Sequence, residues 1–278
     1  MVSSDQKIGE LVSTRLKMVT WNIWWRYGPW REREPIILAV LRDLGPDVVC
    51  LQEVWGEGGE NQAARFADAL DLEWVYDPVA DSGGVQFGNA ILSRWPVRAH
   101  ESIALPSSPT EADDGGRRAL VASIDGPRGQ FDIFATHLCW RLHESRWRQE
   151  QVRALCDFVG RRDPTRLPPI VCGDFNAVPS SDEIRMMTGE AAVPVEGLFF
   201  HDAWAVAGDG SPGFTWDNAN AFSAKALEAN RRIDYIFVGD PHRNGGAGHI
   251  MACLLVGDRT TGALHGSDHF GLFAEIRY

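Results

Sequence analysis

Residues that hold cations or move protons stand repeatedly at the ends of apolar runs: Asn22, Glu53, Asn89, His137, Asp174 with Asn176, Asp234, and the pair Asp268-His269. Taken singly, a strand-end Asp or Asn caps a turn, and a lone His or Glu there is a solvated loop residue. Taken as a set, the same placement many times over calls for a common cause. Carboxylates, amides and imidazoles together suit hydrolysis of a phosphate ester. A phosphodiester is an anion, so its cleavage needs a cation to neutralise charge building on the phosphate oxygens. A carboxylate-held Mg²⁺ or Mn²⁺ does this with one or two carboxylates, substrate oxygens and water. Glu53 is the natural ligand. The attacking water needs a group that accepts its proton, and a carboxylate serves.

The elements that must position these residues follow from hydrophobic spacing. Leu16–Ile23 reads as a strand after a loose N-terminal arm at 1–15. Ile36, Ile37, Val40, Leu41 and Leu44 recur at helical spacing, with Pro35 near the start and Gly45-Pro46 as the stop, so Arg31–Leu44 is an amphipathic helix. The strand Asp47–Glu53 then delivers Gln52-Glu53. A second helix is predicted at Asn61–Leu70, then strands at Trp74–Tyr76, Gly88–Ser93, Leu120–Ile124 and Phe131–Thr136. Glu144–Val159 is helical, Pro169–Cys172 a strand and Ser180–Met187 a short helix. Ile233–Val238, Met251–Val256 and Leu272–Ile276 complete the strands. The Gly-, Pro-, Asp- and Asn-rich stretches Ser107–Gly116, Ala207–Asn220 and Asp240–Gly248 read as surface loops.

Composition narrows the class. With 278 residues, 44% hydrophobic and 23% charged, the chain is long enough to bury a large core without disulfides, and its apolar runs are far too short to span a membrane. A net charge of -11 argues against a surface that coats long nucleic acid nonspecifically. Met1–Lys17 has no apolar signal segment, so a cytoplasmic location is expected. Cys50, Cys139, Cys156, Cys172 and Cys253 lack CxxC spacing and are expected to be buried, reduced thiols.

The segments Thr20-Trp21-Asn22, Leu51-Gln52-Glu53, Asn89-Ala90-Ile91-Leu92-Ser93, Thr136-His137-Leu138, Gly173-Asp174-Phe175-Asn176, Arg232-Ile233-Asp234-Tyr235 and Ser267-Asp268-His269 occur in the order found in the endonuclease/exonuclease/phosphatase superfamily, which this sequence resembles from Trp21 to His269. The resemblance implies a deoxyribonuclease I-like fold: an α/β sandwich of two packed mixed β-sheets flanked by helices, four layers in all, over residues 16–278. It implies Asn22 and Asp268 as supporting metal ligands beside Glu53. Asp174 would be the base, and Asn176 a donor to the water or a phosphate oxygen. His269 would contact the scissile phosphate, oriented by Asp234. His137 would protonate the leaving oxygen or stabilise its charge, and Asn89 would bind a phosphate oxygen.

The sequence departs from many apurinic endonucleases, which carry an acidic residue where this chain has Trp24. The aromatic group Trp24, Trp25, Tyr27 and Trp30 is either a packed corner or a stacking platform. Thr215-Trp216-Asp217 is similar to a segment of bacterial sphingomyelinases and of tyrosyl-DNA phosphodiesterases, so one motif points to two substrate classes. Arg117, Arg118, Arg141, Arg146, Arg148 and Arg153 offer an anionic-substrate surface, although a helix face pairing with Glu144 and Glu150 accounts for the last four nearly as well. The expectation is a metal-dependent phosphodiesterase acting on nucleic acid or nucleotide-like substrates, single-stranded or end-like, with Asn89, Trp216 and Arg232 touching substrate. The alternative is a phosphatase or phosphodiesterase of a small phosphate, phospholipid headgroup or inositol phosphate. No protein partner is predicted.

Overall fold

The computed structural model describes residues 11–108, 116–260 and 264–278. Residues 1–10 of the expected arm and 109–115 of the Ser107–Gly116 loop lie outside these. The strands are β1 (Arg15–Asn22), β2 (Val48–Glu57), β3 (Glu60–Asn61), β4 (Glu73–Ser82), β5 (Val85–Ser93), β6 (Val97–Leu105), β7 (Arg117–Gly126), β8 (Gly129–His137), β9 (Ile170–Asp174), β10 (Phe200–Asp202), β11 (Asp234–Gly239), β12 (Ile250–Val256) and β13 (Gly271–Arg277). The first sheet runs β12-β13-β1-β2-β5-β4, with β3 paired to β2; the second runs β10-β11-β9-β8-β7-β6. Both are mixed: β1 is parallel to β2 and antiparallel to β13, and β9 is parallel to β8 and antiparallel to β11.

The period of two in each strand sorts side chains between layers. Leu16, Met18, Val48 and Cys50 point into the seam between the sheets, where they meet Leu120, Ala122, Ile170, Cys172 and Ile236 of the other sheet. Their neighbours Val19, Trp21, Val49 and Leu51 face outward, under Ile37 and Leu41 of helix α1 (Trp30–Leu44) and Phe66 of α2 (Gln62–Leu70). On the far side, Val121, Phe134 and Val171 lie under α3 (Ser145–Gly160) and α4 (Asp182–Thr188). The result is the four-layer sandwich expected. Each fully buried Leu, Ile or Phe stabilises it by roughly 1.5–3 kcal/mol before chain entropy is counted. All five cysteines are buried and outside any disulfide, as the sequence implied.

Some elements escape the sequence pattern. β6 is an edge strand whose Arg98, Ala99, His100 and Glu101 are exposed, so its residues read as a polar loop. The three-residue β10 and the short α5 (Ala203–Ala207) follow no clear period. Among the described residues, no helix is long and apolar enough to cross a membrane.

Candidate active site

Strand register brings the chemistry together at one end of the seam. In the parallel β8–β9 pair, Thr136 stands opposite Gly173 and His137 opposite Asp174. Gly173 has φ 140°, and a Cβ there would fall 1.9 Å from the Thr136 carbonyl oxygen. Only glycine permits this approach. In β2, pairing with β5 slips between Leu51 and Val54, and within that bulge Glu53 takes φ 58°. Bulges re-aim side chains beside active sites, and this one turns Glu53 toward Asn22.

Asp174 is the hub. Its Oδ2 accepts from Asn22 Nδ2 at 3.0 Å, and its Oδ1 accepts from the Asn176 backbone N–H at 2.9 Å. Two imidazoles flank it, with His137 Nε2 at 3.5 Å and His269 Nε2 at 3.8 Å. The same Asn22 nitrogen donates to Glu53 Oε1 at 3.1 Å. His269 Nδ1 lies 2.9 Å from Asp234 Oδ2, and the Trp216 ring stands edge-on to His269 at 5.1 Å. Thr215 Oγ1 accepts from the N–H groups of Ile233 and Asp234, which fixes the start of β11.

The two histidines differ in charge. Burial alone lowers His269, but Asp234, Asp174 and Asp268 outweigh it and hold the imidazolium up to about 10. Burial, Arg117 and the charge on His269 push His137 well below the usual range, so it is neutral. Arg117 Nη1 lies 3.4 Å from His137 Nδ1 and can only donate, which places the histidine's proton on Nε2, facing Asp174. Burial raises Glu53, Asp174 and Asp268, and neighbouring carboxylates add to this at Glu53 and Asp174.

Crowded carboxylates of this kind fit a divalent cation. Glu53 Oε2 and Asp234 Oδ1 are buried without a hydrogen-bond partner. Asp174, Asp234 and His269 offer ligand atoms within 4.8 Å of one another. A protonated imidazole has no lone pair to give, however, and Asp234 is engaged with it, so Glu53 with Asp268 is the better pair for an ion.

The expected residues divide accordingly. Glu53, Asn22, His137, Asp174, Asn176, Asp234 and His269 form one connected group, with Asp268 coupled to Glu53 through charge. Asn22 enters as a bridge: its amide nitrogen spans two carboxylates while its oxygen accepts from the Trp24 N–H. Asn89 is buried, with Nδ2 3.4 Å from the Arg118 carbonyl and Oδ1 without a partner. Arg232 does not join the group. It pairs with Asp202 at 2.6 Å and lies over the Tyr235 ring, so its place is in the frame and not on substrate. Arg148 likewise leaves the expected basic surface: it is buried against Glu183 at 2.6 Å. The aromatic group is largely a packed corner, with Trp30 against Trp55, Trp25 Nε1 bonded to the Gln86 carbonyl, and Trp24 against Phe222. Sequence reasoning missed Arg33 and the contact of Arg117 with His137. Arg33 had a signal, since it shares the four-residue spacing of the buried Ile37 and Leu41.

The profile described as "Endonuclease/Exonuclease/phosphatase family" matches residues 19–269. Protein angel of Drosophila melanogaster is 26% identical over 171 residues, 58% of this chain and 48% of its own length. Nocturnin of Rattus norvegicus is 28% identical over 170 residues, 55% of this chain and 38% of its own. The chain thus spans about half the length, or less, of these curated relatives. Among solved structures, D. rerio TDP2 complexed with single-strand DNA product superposes with a TM-score of 0.75 at 20% identity, covering 95% of this chain and 100% of that one. The human Nocturnin catalytic domain with bound sulfate gives 0.67 at 20% identity, over 94% of each chain.

Proposed function

The chain belongs to the endonuclease/exonuclease/phosphatase family, and from that premise we propose that it is a divalent-metal-dependent phosphodiesterase acting on nucleic acid, with single-stranded or end-like substrates preferred and residues 16–278 as its one catalytic unit. The observation that carries this reading is the setting of Asp174: a buried carboxylate held by two amide-type donors between a charged and a neutral imidazole.

Glu53 and Asp268 would hold the cation, Mg²⁺ or Mn²⁺, which neutralises charge gathering on the phosphate oxygens. Asp174 accepts the proton of the attacking water; burial has raised it to about 6, close to where a general base works best at neutral pH. Asn22 and the Asn176 N–H keep its two oxygens oriented. The His269 imidazolium, steered by Asp234, donates to a phosphate oxygen and adds a fixed positive charge beside it. His137, neutral with its proton on Nε2, donates a hydrogen bond to the leaving oxygen; its depressed basicity disfavours the imidazolium form in the resting site. Asn89, whose Nδ2 makes a single long bond, has a hydrogen left to donate to a phosphate oxygen. Trp216, half-buried beside His269, presents a ring on which a base can stack.

The single-strand DNA in the TDP2 complex supports this choice over a phospholipid or inositol phosphate. The test is an activity panel with Mg²⁺ or Mn²⁺ on single- and double-stranded DNA, RNA, phosphomonoesters, sphingomyelin and inositol phosphates. Cleavage of single-stranded oligonucleotides above all others is expected. Turnover confined to phosphomonoesters, sphingomyelin or inositol phosphates would overturn it.

A further inference from the structure

Arg33, on the first turn of α1, is 1% exposed. Arginine is almost never so buried without a carboxylate against its guanidinium. Here its hydrogen-bond partners are main-chain carbonyls. Nη1 donates to Ile23 at 2.9 Å and Gly266 at 2.8 Å, and Nη2 donates to Trp24, Trp25 and Tyr27 at 2.9, 3.0 and 2.9 Å. One guanidinium therefore ties the turn that leaves Asn22 to the segment that leads into Asp268. The turn needs such a tie, because Trp24 and Trp25 have φ of 58° and 34°, a region that bulky side chains avoid. The Trp24 ring covers the guanidinium at 4.7 Å and shields it from water. The carboxylates whose charge acts on Arg33 are Asp268, Glu53 and Glu34.

We propose that Arg33 is a positioning residue for the cation-binding side of the site: its guanidinium holds the Asn22–Tyr27 turn and the Gly266–Asp268 segment at a fixed separation, so that Glu53 and Asp268 are in place before the ion arrives. Pre-placed ligands bind more tightly because the ion does not have to order them, and partners behind a ligand shell commonly set affinity by about 10–100-fold. Arg148 supplies the internal comparison. It occupies the first turn of α3, is 4% exposed, and donates to the carbonyls of Cys139, Arg141 and Leu142, but its charge is met by Glu183. A role in folding alone would make the two arginines equivalent.

Arg33→Lys and Arg148→Lys in the full chain, with Mn²⁺ affinity measured by calorimetry and melting followed by circular dichroism, separate the two cases. Lysine keeps the charge but cannot span five carbonyls. Both variants should melt earlier. Only Arg33→Lys should bind Mn²⁺ at least about tenfold more weakly than wild type. Equal Mn²⁺ affinity in Arg33→Lys and wild type, or equal weakening in both variants, would overturn the proposal.

Hydrogen exchange on the wild-type chain gives a reading that does not depend on any variant folding. The amides of Ile23, Trp25 and Tyr27, bonded to the carbonyls of Gln52, Glu53 and Trp24 in the turn that Arg33 holds, should already be protected without Mn²⁺. Fast exchange that slows only when the ion is added would show that the ion, and not Arg33, orders this turn. The proposal rests on Glu53 and Asp268 as ion ligands; an error there appears separately, as Mn²⁺ affinity that Glu53→Gln leaves unchanged.

Discussion

His269 Nδ1 lies 2.9 Å from Asp234 Oδ2, a pairing that crosses from the segment before β13 in one sheet to β11 in the other. It stabilises an imidazolium whose second nitrogen is 3.8 Å from Asp174 Oδ2, so one positive group serves two carboxylates.

Removing either member of the reacting pair should cost rate and not fold. Asp174→Asn and His269→Ala are each expected to lower kcat by at least about a hundredfold, the scale of a positioned acid-base or electrostatic group. The melting temperature should change little for Asp174→Asn, because relief of a buried carboxylate crowded by Asp234 offsets the loss of one of the two bonds its oxygens accept. A collapse in melting temperature with both substitutions would make the two residues structural.

Metal dependence is testable on a minimal activated phosphodiester. Turnover should need added Mg²⁺ or Mn²⁺ and vanish in excess EDTA. Glu53→Gln should fold, keep its bond with Asn22 and bind Mn²⁺ more weakly, since it removes a full charge whose second oxygen has no protein partner. Undiminished activity in EDTA would sink the mechanism.

Trp216 tests the substrate class. If bases stack on it, Trp216→Ala should raise KM for single-stranded oligonucleotides by one to two orders of magnitude, from a loss of roughly 1–3 kcal/mol, and leave the minimal phosphodiester nearly unchanged. Equal losses on both would mean that Trp216 serves only to brace His269, its ring neighbour at 5.1 Å.

Gly173→Ala should be among the most damaging one-methyl changes near the site. The added carbon would stand 1.9 Å from the Thr136 oxygen, and neither backbone can yield without breaking the β8–β9 register that pairs His137 with Asp174. A loss of at least about 3 kcal/mol in urea unfolding is expected, or failure to accumulate as soluble protein. A soluble variant of ordinary stability would refute the steric argument.

Much of this was legible in the sequence because the same physical pattern marks both strand and site. Asn22, His137 and Asp174 each end a buried strand, and strands buried on both faces announce themselves as apolar stretches; Glu53, expected to end its strand, sits instead at the bulge in the middle of β2, which runs on to Glu57. Arg232 misled because it neighbours Asp234 in the chain, while its charge is answered by Asp202, which is 30 residues away and invisible to local pattern. Arg148 misled for the same reason, its partner Glu183 lying on another helix. β6 was missed because an edge strand exposes one face and much of its backbone, so charge at Arg98 and Glu101 hides the alternation. The opposite ionic states of His137 and His269 were also beyond reach, since each depends on which charges the fold brings beside it.

The pairing of β1 with β13, Arg15 opposite Arg277, has a consequence for the order in which the molecule comes into being. Asn22 and Glu53 are made well before Asp268 and His269, yet all belong to one connected group. A growing chain therefore carries half of this group until the β13 segment has been made. Until β13 docks beside β1, no imidazolium stands next to Asp174, and that buried carboxylate lacks its charged neighbour.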